Sequence, residues 1–145
     1  FGSMEELYEE VRKAAMRRFE SYSEKAADVQ PVFERVGMQM ALFGVEEPKL
    51  YRLLFMQEHS DTVTFNDVFG ELGTTADMCI DAICSDYGLD REAAKKLFEN
   101  VWIYTFGVGA LCALKMCRFS KERLSRMLTT EFKAMMMLVK SGGID

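Results

Sequence analysis

The chain has 145 residues, of which 49% are apolar and 28% charged, and its formal net charge is −5. A chain of this length and composition can bury the core of one domain, which excludes both a mini-protein and a disordered tail. Only two prolines, Pro31 and Pro48, interrupt it, so long helices can form along almost its whole length.

The first predicted helix begins where Ser3 and Glu6 form the S-x-x-E pattern of a capping box. Apolar residues follow at a spacing of three to four, which is the period of an amphipathic helix, and continue to about Glu24. The sequence therefore predicts one long helix from the start of the chain.

Two further helices are predicted in the next third of the chain. Asp28 can cap the second, with Pro31 tolerated in its first turn, and its apolar stripe ends at Gly44. The Glu47-Pro48 pair begins a short third helix that covers about residues 49–57.

The stretch from His59 to Gly73 has mixed polarity and no sustained period, which predicts a loop with room for one helical turn. Thr74 or Thr75 then caps a fourth helix, which stops at Gly88.

The fifth helix is predicted to be the longest and least polar, from an Asp90 cap to about Cys117. Ser120 caps the sixth, which runs to about Lys140. Small residues on the fifth helix, which allow a neighbouring backbone to come close, are Gly107, Gly109, Ala110 and Ala113. No segment alternates as a strand does, so the fold class is predicted to be all-α with six main helices.

The residues needed for catalysis are scarce. His59 is the only histidine and lies in a polar segment, where a solvated side chain is the usual state. The sequence contains neither a Glu-x-x-His motif for a di-metal site nor a phosphate-binding glycine loop. We therefore expect no enzyme, no metal and no cofactor, and a reactive thiol of low pKa at Cys79 or Cys112 would reopen the question.

The four cysteines fall in two pairs, Cys79 with Cys84 and Cys112 with Cys117, each spaced five apart. Five residues along a helix correspond to about 140° of rotation, so the thiols of a pair are not expected to converge on one ion. Reduced thiols, the absence of a signal-like start and a longest apolar stretch of only 14 residues predict a cytoplasmic protein without a membrane span.

Charge is divided unevenly along the chain. Residues 1–114 carry 11 Lys and Arg against 20 Asp and Glu, a net of −9, whereas residues 115–145 carry 7 against 3, a net of +4. An acidic body repels phosphates, so this chain alone is not expected to bind DNA, and its basic last helix is interpreted as a solvated face.

The number and placement of the methionine and aromatic residues favour a binding function. The chain has eleven methionines, whose flexible side chains suit adaptable apolar contacts, and its second to fifth predicted helices all carry bulky apolar residues. Short helices that meet a long central one often enclose an apolar cavity. The alternative is a helical protein-interaction module whose Met-rich face binds a partner helix.

The last two helices indicate a dimer. The sixth is apolar on more than one side, which is typical of a helix with a partner beyond its own core. We expect a four-helix interface made by two helices from each of two copies, and packing within one copy alone is the alternative. The predicted interface residues are Ala110, Leu111, Leu114, Leu124, Leu128, Phe132, Met135 and Met136.

Three segments resemble one family, the tetracycline-repressor (TetR/AcrR) type of transcriptional regulator. The opening FGSMEEL is similar to the family's F-x-[SN]-K-E-E-L signature, with Met4 in place of the lysine. EPKLYRLLF resembles the segment in which a His-Pro pair precedes an apolar helix, with Glu47 in place of the histidine. WIYTFG looks like the W-x-x-x-H-G of one subgroup, with Phe106 in place of its histidine.

The resemblance implies that residues 4–145 are the ligand-binding and dimerisation domain, a multi-helix orthogonal bundle, and that residues 1–3 end a helix-turn-helix domain that precedes them. DNA would be bound only through that domain, and an apolar small molecule between the first five helices would modulate the binding. The predicted ligand-binding residues are Phe33, Met40, Phe55, Met78, Phe98, Trp102 and Phe106.

Overall fold

The computed structural model describes residues 2–29, 31–58, 64, 67, 72 and 74–143. The described residues are all-helical, as predicted, and contain six helices and no strand. The helices are α1 (Met4–Glu24), α2 (Val32–Glu46), α3 (Pro48–Phe55), α4 (Thr75–Tyr87), α5 (Arg91–Ala113) and α6 (Lys121–Lys140). Helix α5 is central and packs against α2, α3, α4 and α6, whereas α1 lies on α2 and α3.

The predicted Ser3 cap is present at the start of α1, but the reciprocal bond of Glu6 is to Gly2 and not to the cap residue. Ser3 Oγ accepts a hydrogen bond from the Glu6 backbone N–H at 3.1 Å, and Glu6 Oε2 accepts one from the backbone N–H of Gly2 at 2.7 Å. The side chains of Asp90 and Ser120 likewise each accept a hydrogen bond from the backbone N–H three residues later in the chain, at 2.8 and 3.2 Å. These local patterns predicted three helix starts correctly because each bond joins residues only three or four positions apart.

The predicted start and end of the second helix are wrong. Asp28 does not cap it, because the backbone after α1 continues in successive short turns, such as the bond from the Val29 N–H to the Ala26 carbonyl. Pro31 has an extended backbone and stands at the N-cap, not in the first turn. At the other end, the helix continues past Gly44, which is buried within it.

Gly44 is buried because α2 crosses α5 there with almost no separation. A Cβ at Gly44 would lie 2.7 Å from the backbone oxygen of Gly109, and a Cβ at Gly109 would lie 2.6 Å from the hydroxyl of Tyr51. Among the small residues of α5 that were predicted to let a neighbouring backbone come close, Gly109 does so, and the neighbour is α2 of the same chain. Gly107 faces open space.

Helix α5 ends four residues earlier than predicted, at Ala113. Lys115 has a φ of 58°, and the N–H groups of Lys115 and Met116 bond the carbonyls of Cys112 and Leu111 at 3.0 and 2.9 Å. This is a Schellman motif with lysine where glycine is usual, so the sequence lacks the signal that ends most helices in this way.

Replacing Lys115 by glycine should raise the free energy of unfolding by about 1 kcal/mol, because glycine adopts the left-handed conformation without a Cβ clash. Urea denaturation followed by circular dichroism measures the change. Lys140→Gly is the control: Lys140 has right-handed helical backbone in the last turn of α6, so glycine there should lower the free energy of unfolding. A loss of stability in Lys115→Gly would contradict the assignment of strain to this residue.

Most of the predicted loop between His59 and Gly73, His59 included, lies outside the described residues. Within it, the Thr64 backbone N–H and hydroxyl both donate to a carboxylate oxygen of Asp67 at 3.0 Å. Leu72 is almost fully buried in the core.

Candidate functional site

One cavity lies where α1, α2, α3 and α5 meet. Four predicted ligand residues line it: Met40, Phe55, Trp102 and Phe106. Three further lining residues were not predicted: Phe19, Tyr51 and Thr105. We call these seven residues the aromatic cage. Five of the seven carry aromatic rings, so the cage suits flat apolar groups.

The aromatic cage is nearly filled by its own side chains. Its cavity volume is about 10 Å³, which is room for one water molecule at most. The rings are in mutual contact: Trp102 stacks on Phe106 with centroids 5.2 Å apart, and Phe55 meets Tyr51 edge-on at 5.1 Å. A ligand of several heavy atoms would therefore have to displace a side chain.

Both hydroxyl groups of the cage donate their protons to the backbone of α5. Tyr51 Oη donates to the carbonyl of Phe106 at 2.7 Å, and Thr105 Oγ1 donates to the carbonyl of Val101 at 2.8 Å. Burial raises the pKa of Tyr51, so its hydroxyl stays protonated. These bonds leave only oxygen lone pairs of the two hydroxyls available to a ligand.

The indole of Trp102 differs from these hydroxyls. Its Nε1–H is buried, and no acceptor in the described part of the chain lies within hydrogen-bonding distance. A buried N–H without an acceptor is uncommon, because removing it from water is unfavourable unless a partner is supplied.

The structure does not bring the other three predicted ligand residues into the aromatic cage. Phe33 contacts Phe98 and Phe132, with ring centroids 6.0 and 5.6 Å apart, between α2, α5 and α6. Met78 is half-buried on α4 against the core. Phe98 and Phe106 share α5, but eight residues correspond to about 80° of rotation, so the two rings face different neighbours.

Helical spacing could have identified two of the missed residues. Tyr51 precedes Phe55 by four residues on α3, and Thr105 lies three residues after Trp102 on α5, so each shares a face with a predicted residue. Phe19 carried no comparable signal, because it belongs to α1 and meets Phe55 only through tertiary packing, at a centroid distance of 5.1 Å.

A second groove of about 160 Å³ lies between α2, α5 and α6. Phe33, Leu128 and Phe132 supply apolar surface, and Glu34 and Arg35 bring opposite charges. Its hydroxyl groups are those of Ser125 and Thr129 on α6 and of Thr105 on α5, which also lines the aromatic cage. The groove is thus more polar than the aromatic cage.

Of the five predicted dimer residues on α6, four are buried and one is half-buried. Leu124, Leu128, Phe132 and Met136 pack against their own chain and are at most 9% exposed, so each leaves little surface for contact with a second copy. They occur at four-residue spacing, and sequence periodicity cannot distinguish a stripe that faces its own core from one that faces a partner. Met135 is half-buried against the same core.

The predicted dimer residues of α5 lie on the outside. Leu111 and Leu114 are 36% and 44% exposed, and Ala110 is half-buried beside them. Ile103, which was not predicted, is also exposed. Together with Gly107 these residues fall within an arc of about 100° on α5, which we call the α5 face.

The first half of α1 extends away from the bundle. Residues 2–11 are all exposed, and the first buried residue of the helix is Ala15. Four exposed apolar residues recur at helical spacing on this half, which we call the α1 stripe: Met4, Leu7, Tyr8 and Val11. Such a stripe is typical of a contact surface.

The cysteines are free thiols. Burial raises the pKa of Cys79 to about 12, and burial together with Cys117 raises the pKa of Cys112. Neither thiol therefore has the lowered pKa of a nucleophile. Cys112 and Cys117 line one groove, because α5 ends between them, and the helical rotation predicted for this pair does not apply.

No helix among the described residues is long and apolar enough to cross a membrane. Comparison of the chain with models of protein families, with characterised proteins and with solved structures gives no match.

Proposed function

We propose that this chain is the ligand-sensing and dimerisation domain of a TetR-like transcriptional regulator. A neutral apolar molecule enters the aromatic cage and changes the position of α1. That change alters the spacing of two DNA-binding domains, one carried by each copy in a dimer. The spacing must match half-sites about 34 Å apart, so a small movement weakens DNA binding.

The observation that carries the proposal is the position of Phe19. Its ring forms part of the cage and belongs to α1, the helix whose other half extends from the bundle. Arg18 beside it pairs with Glu47 at the junction of α2 and α3, at 3.2 Å. A ligand that pushes on Phe19 therefore acts on the element that leads out of the domain.

The α1 stripe supports the second part of the proposal. A helix-turn-helix domain preceding Phe1 would cover Met4, Leu7, Tyr8 and Val11, which are otherwise exposed to water. The coding sequence upstream of Phe1 tests this directly. A helix-turn-helix there is the expected result, and its absence would contradict the assignment to a DNA-binding regulator.

A functional test uses the full-length regulator. Its preferred operator is selected from fragments of the host genome, and a host extract of neutral apolar metabolites is then added. We expect release of the operator from the wild-type protein. Phe19→Ala, which removes the contact between cage and α1, should still bind operator but respond to a higher concentration of extract. An unchanged response would contradict the role of Phe19.

For the dimer we propose the α5 face, with Ile103, Gly107, Ala110, Leu111 and Leu114 packing against the same residues of a second copy. A Cβ at Gly107 meets no other heavy atom of the chain within 4 Å, which leaves room for the approach of a partner helix. Three exposed apolar side chains beside it supply the apolar area.

Ile103→Glu should convert the dimer to a monomer, because a second copy would bury two unpaired carboxylates at the contact. Size-exclusion chromatography with light scattering should show the mass fall from twice that of the chain to once. Val29→Glu is the matched control, since both residues are 46% exposed, and it should remain a dimer. A wild-type monomer, or a variant that remains dimeric, would contradict the α5 face as the interface.

One observation favours the alternative, a helical protein-interaction module. The cage holds one water molecule at most, and a filled core is expected of such a module. Its binding surface would be rich in methionine, but the exposed methionines Met4, Met116 and Met137 lie at three separate places. Native mass spectrometry of protein from its host distinguishes the two: the regulator carries a small apolar molecule, and the module carries a peptide or protein.

A further inference from the structure

The aromatic cage has an uneven supply of hydrogen-bonding groups. Its two hydroxyls already donate to carbonyls of α5, whereas the Trp102 Nε1–H has no acceptor in the part of the chain that the structure describes. The indole is 8% exposed, so water at the surface does not readily replace the missing acceptor. A residue that lines the cage thus carries a buried donor that no described group of the chain uses.

The cage also lacks formal charge. Its lining consists of aromatic residues, one methionine and one threonine. Its one titratable group, the Tyr51 hydroxyl, is kept neutral because burial raises its pKa. An anion would lose its hydration without gaining a counter-ion, which strongly disfavours its binding. A cation would be attracted by the ring faces but could not accept a hydrogen bond from Trp102 Nε1–H, so only a ligand with an acceptor satisfies that donor.

We propose that the ligand is a flat, neutral, mainly apolar molecule with one hydrogen-bond acceptor of the carbonyl type, and that Trp102 Nε1–H donates to that acceptor. This inference rests on the proposed function, because it takes the cage as the sensing site. The near-parallel rings of Trp102 and Phe106, 26° apart in plane, suit a planar molecule. The donor fixes which end of the molecule points to α5.

Ligand entry requires space that the filled cage does not have. Phe55 is the side chain best placed to provide it, because it is half-buried and is the last residue of the short helix α3. Its displacement would also free the neighbouring ring of Phe19, with which it is in edge contact. Ligand entry and the effect on α1 then follow from one movement.

The test compares two nearly isosteric probes, acetophenone and α-methylstyrene, which differ in having a carbonyl oxygen or a methylene at the same position. Because Trp102 is the only tryptophan, its indole N–H gives one resolvable cross-peak in a ¹⁵N-correlated NMR spectrum. We expect acetophenone to move this peak downfield, as a new hydrogen bond does, and α-methylstyrene to leave it near its original position. Titration gives both dissociation constants.

The decisive quantity is the change in the ratio of the two dissociation constants between wild type and variant, because this change cancels the difference in hydrophobicity of the probes. Trp102→Phe should reduce the preference for the ketone by roughly fivefold to tenfold, the effect of one ordinary hydrogen bond. Tyr87→Phe is the matched control. It removes the other buried polar atom that lacks a partner among the described residues, away from the cage, and should leave the ratio unchanged.

A second substitution provides the same test if Trp102→Phe does not fold. Biosynthetic replacement of the single tryptophan by benzothienylalanine keeps the ring size and exchanges N–H for sulfur, and it should reduce the preference equally. Equal ratios in wild type and both variants would overturn the donor role of Trp102 while ligand binding in the cage stands. Failure of both probes to bind the wild type would overturn the cage as a sensing site as well.

Discussion

Replacing Phe43 by alanine is expected to lower the free energy of unfolding by about 4 kcal/mol, the usual effect of removing a buried ring from a core. Phe43 is fully buried and contacts four other rings, those of Phe19, Tyr22, Tyr51 and Phe55. The lost ring leaves a void beside the aromatic cage, because the surrounding helices relax only in part. Denaturation in guanidinium, monitored by circular dichroism, measures the loss.

Two comparisons make this prediction specific. Phe119→Ala removes the same ring from a half-buried position on the connection between α5 and α6, and should lower stability by about 1 kcal/mol or less. Benzene should raise the melting temperature of Phe43→Ala by filling the void, and should have little effect on the wild type. Equal losses for Phe43 and Phe119 would show that the ring cluster is not the centre of the core.

Gly44→Ala should lower the free energy of unfolding by about 2 kcal/mol. Alanine favours the helix intrinsically by about 1 kcal/mol, but the added Cβ lies 2.7 Å from a backbone oxygen of α5, and forcing the helices apart costs more than this gain. The same denaturation experiment measures it, and the variant is expected to unfold at a lower denaturant concentration.

Gly37→Ala is the matched control on the same helix. A Cβ there meets no heavy atom within 4 Å, so only the helix preference acts, and stability should rise by about 0.5 to 1 kcal/mol. Opposite signs for the two glycines are therefore expected. A stabilising Gly44→Ala would mean that α2 and α5 do not cross as closely as described.

Much of the fold follows from the sequence because the information is local. The caps at Ser3, Asp90 and Ser120 join residues a few positions apart, and the starts of the three helices were predicted within one residue. Asp28 shows the limit: the same residue type can cap a helix or stand in a turn, and the neighbouring backbone decides. Lys115 shows another limit, since a left-handed lysine has no sequence signature.

The site was harder to predict than the fold because it depends on which helix faces occur together. Trp102 and Phe106 reach the cage together because they lie four residues apart on α5, only about 40° beyond one full turn. Phe98 is one further turn away and rotates out of the cage. Phe19 came from a distant part of the chain, where only tertiary packing could reveal its role.

The length of the exposed half of α1 determines how far a tilt of the helix moves its first residue. Phe19 and Met4 are 15 residues apart on one continuous helix, a distance of about 22 Å along its axis. With the bundle end held as a pivot, a tilt of about 5° at Phe19 would carry Met4 sideways by about 2 Å over that length. Under the proposed function, a tilt too small to disturb the packing at Phe19 would still displace the start of α1 by more than a bond length.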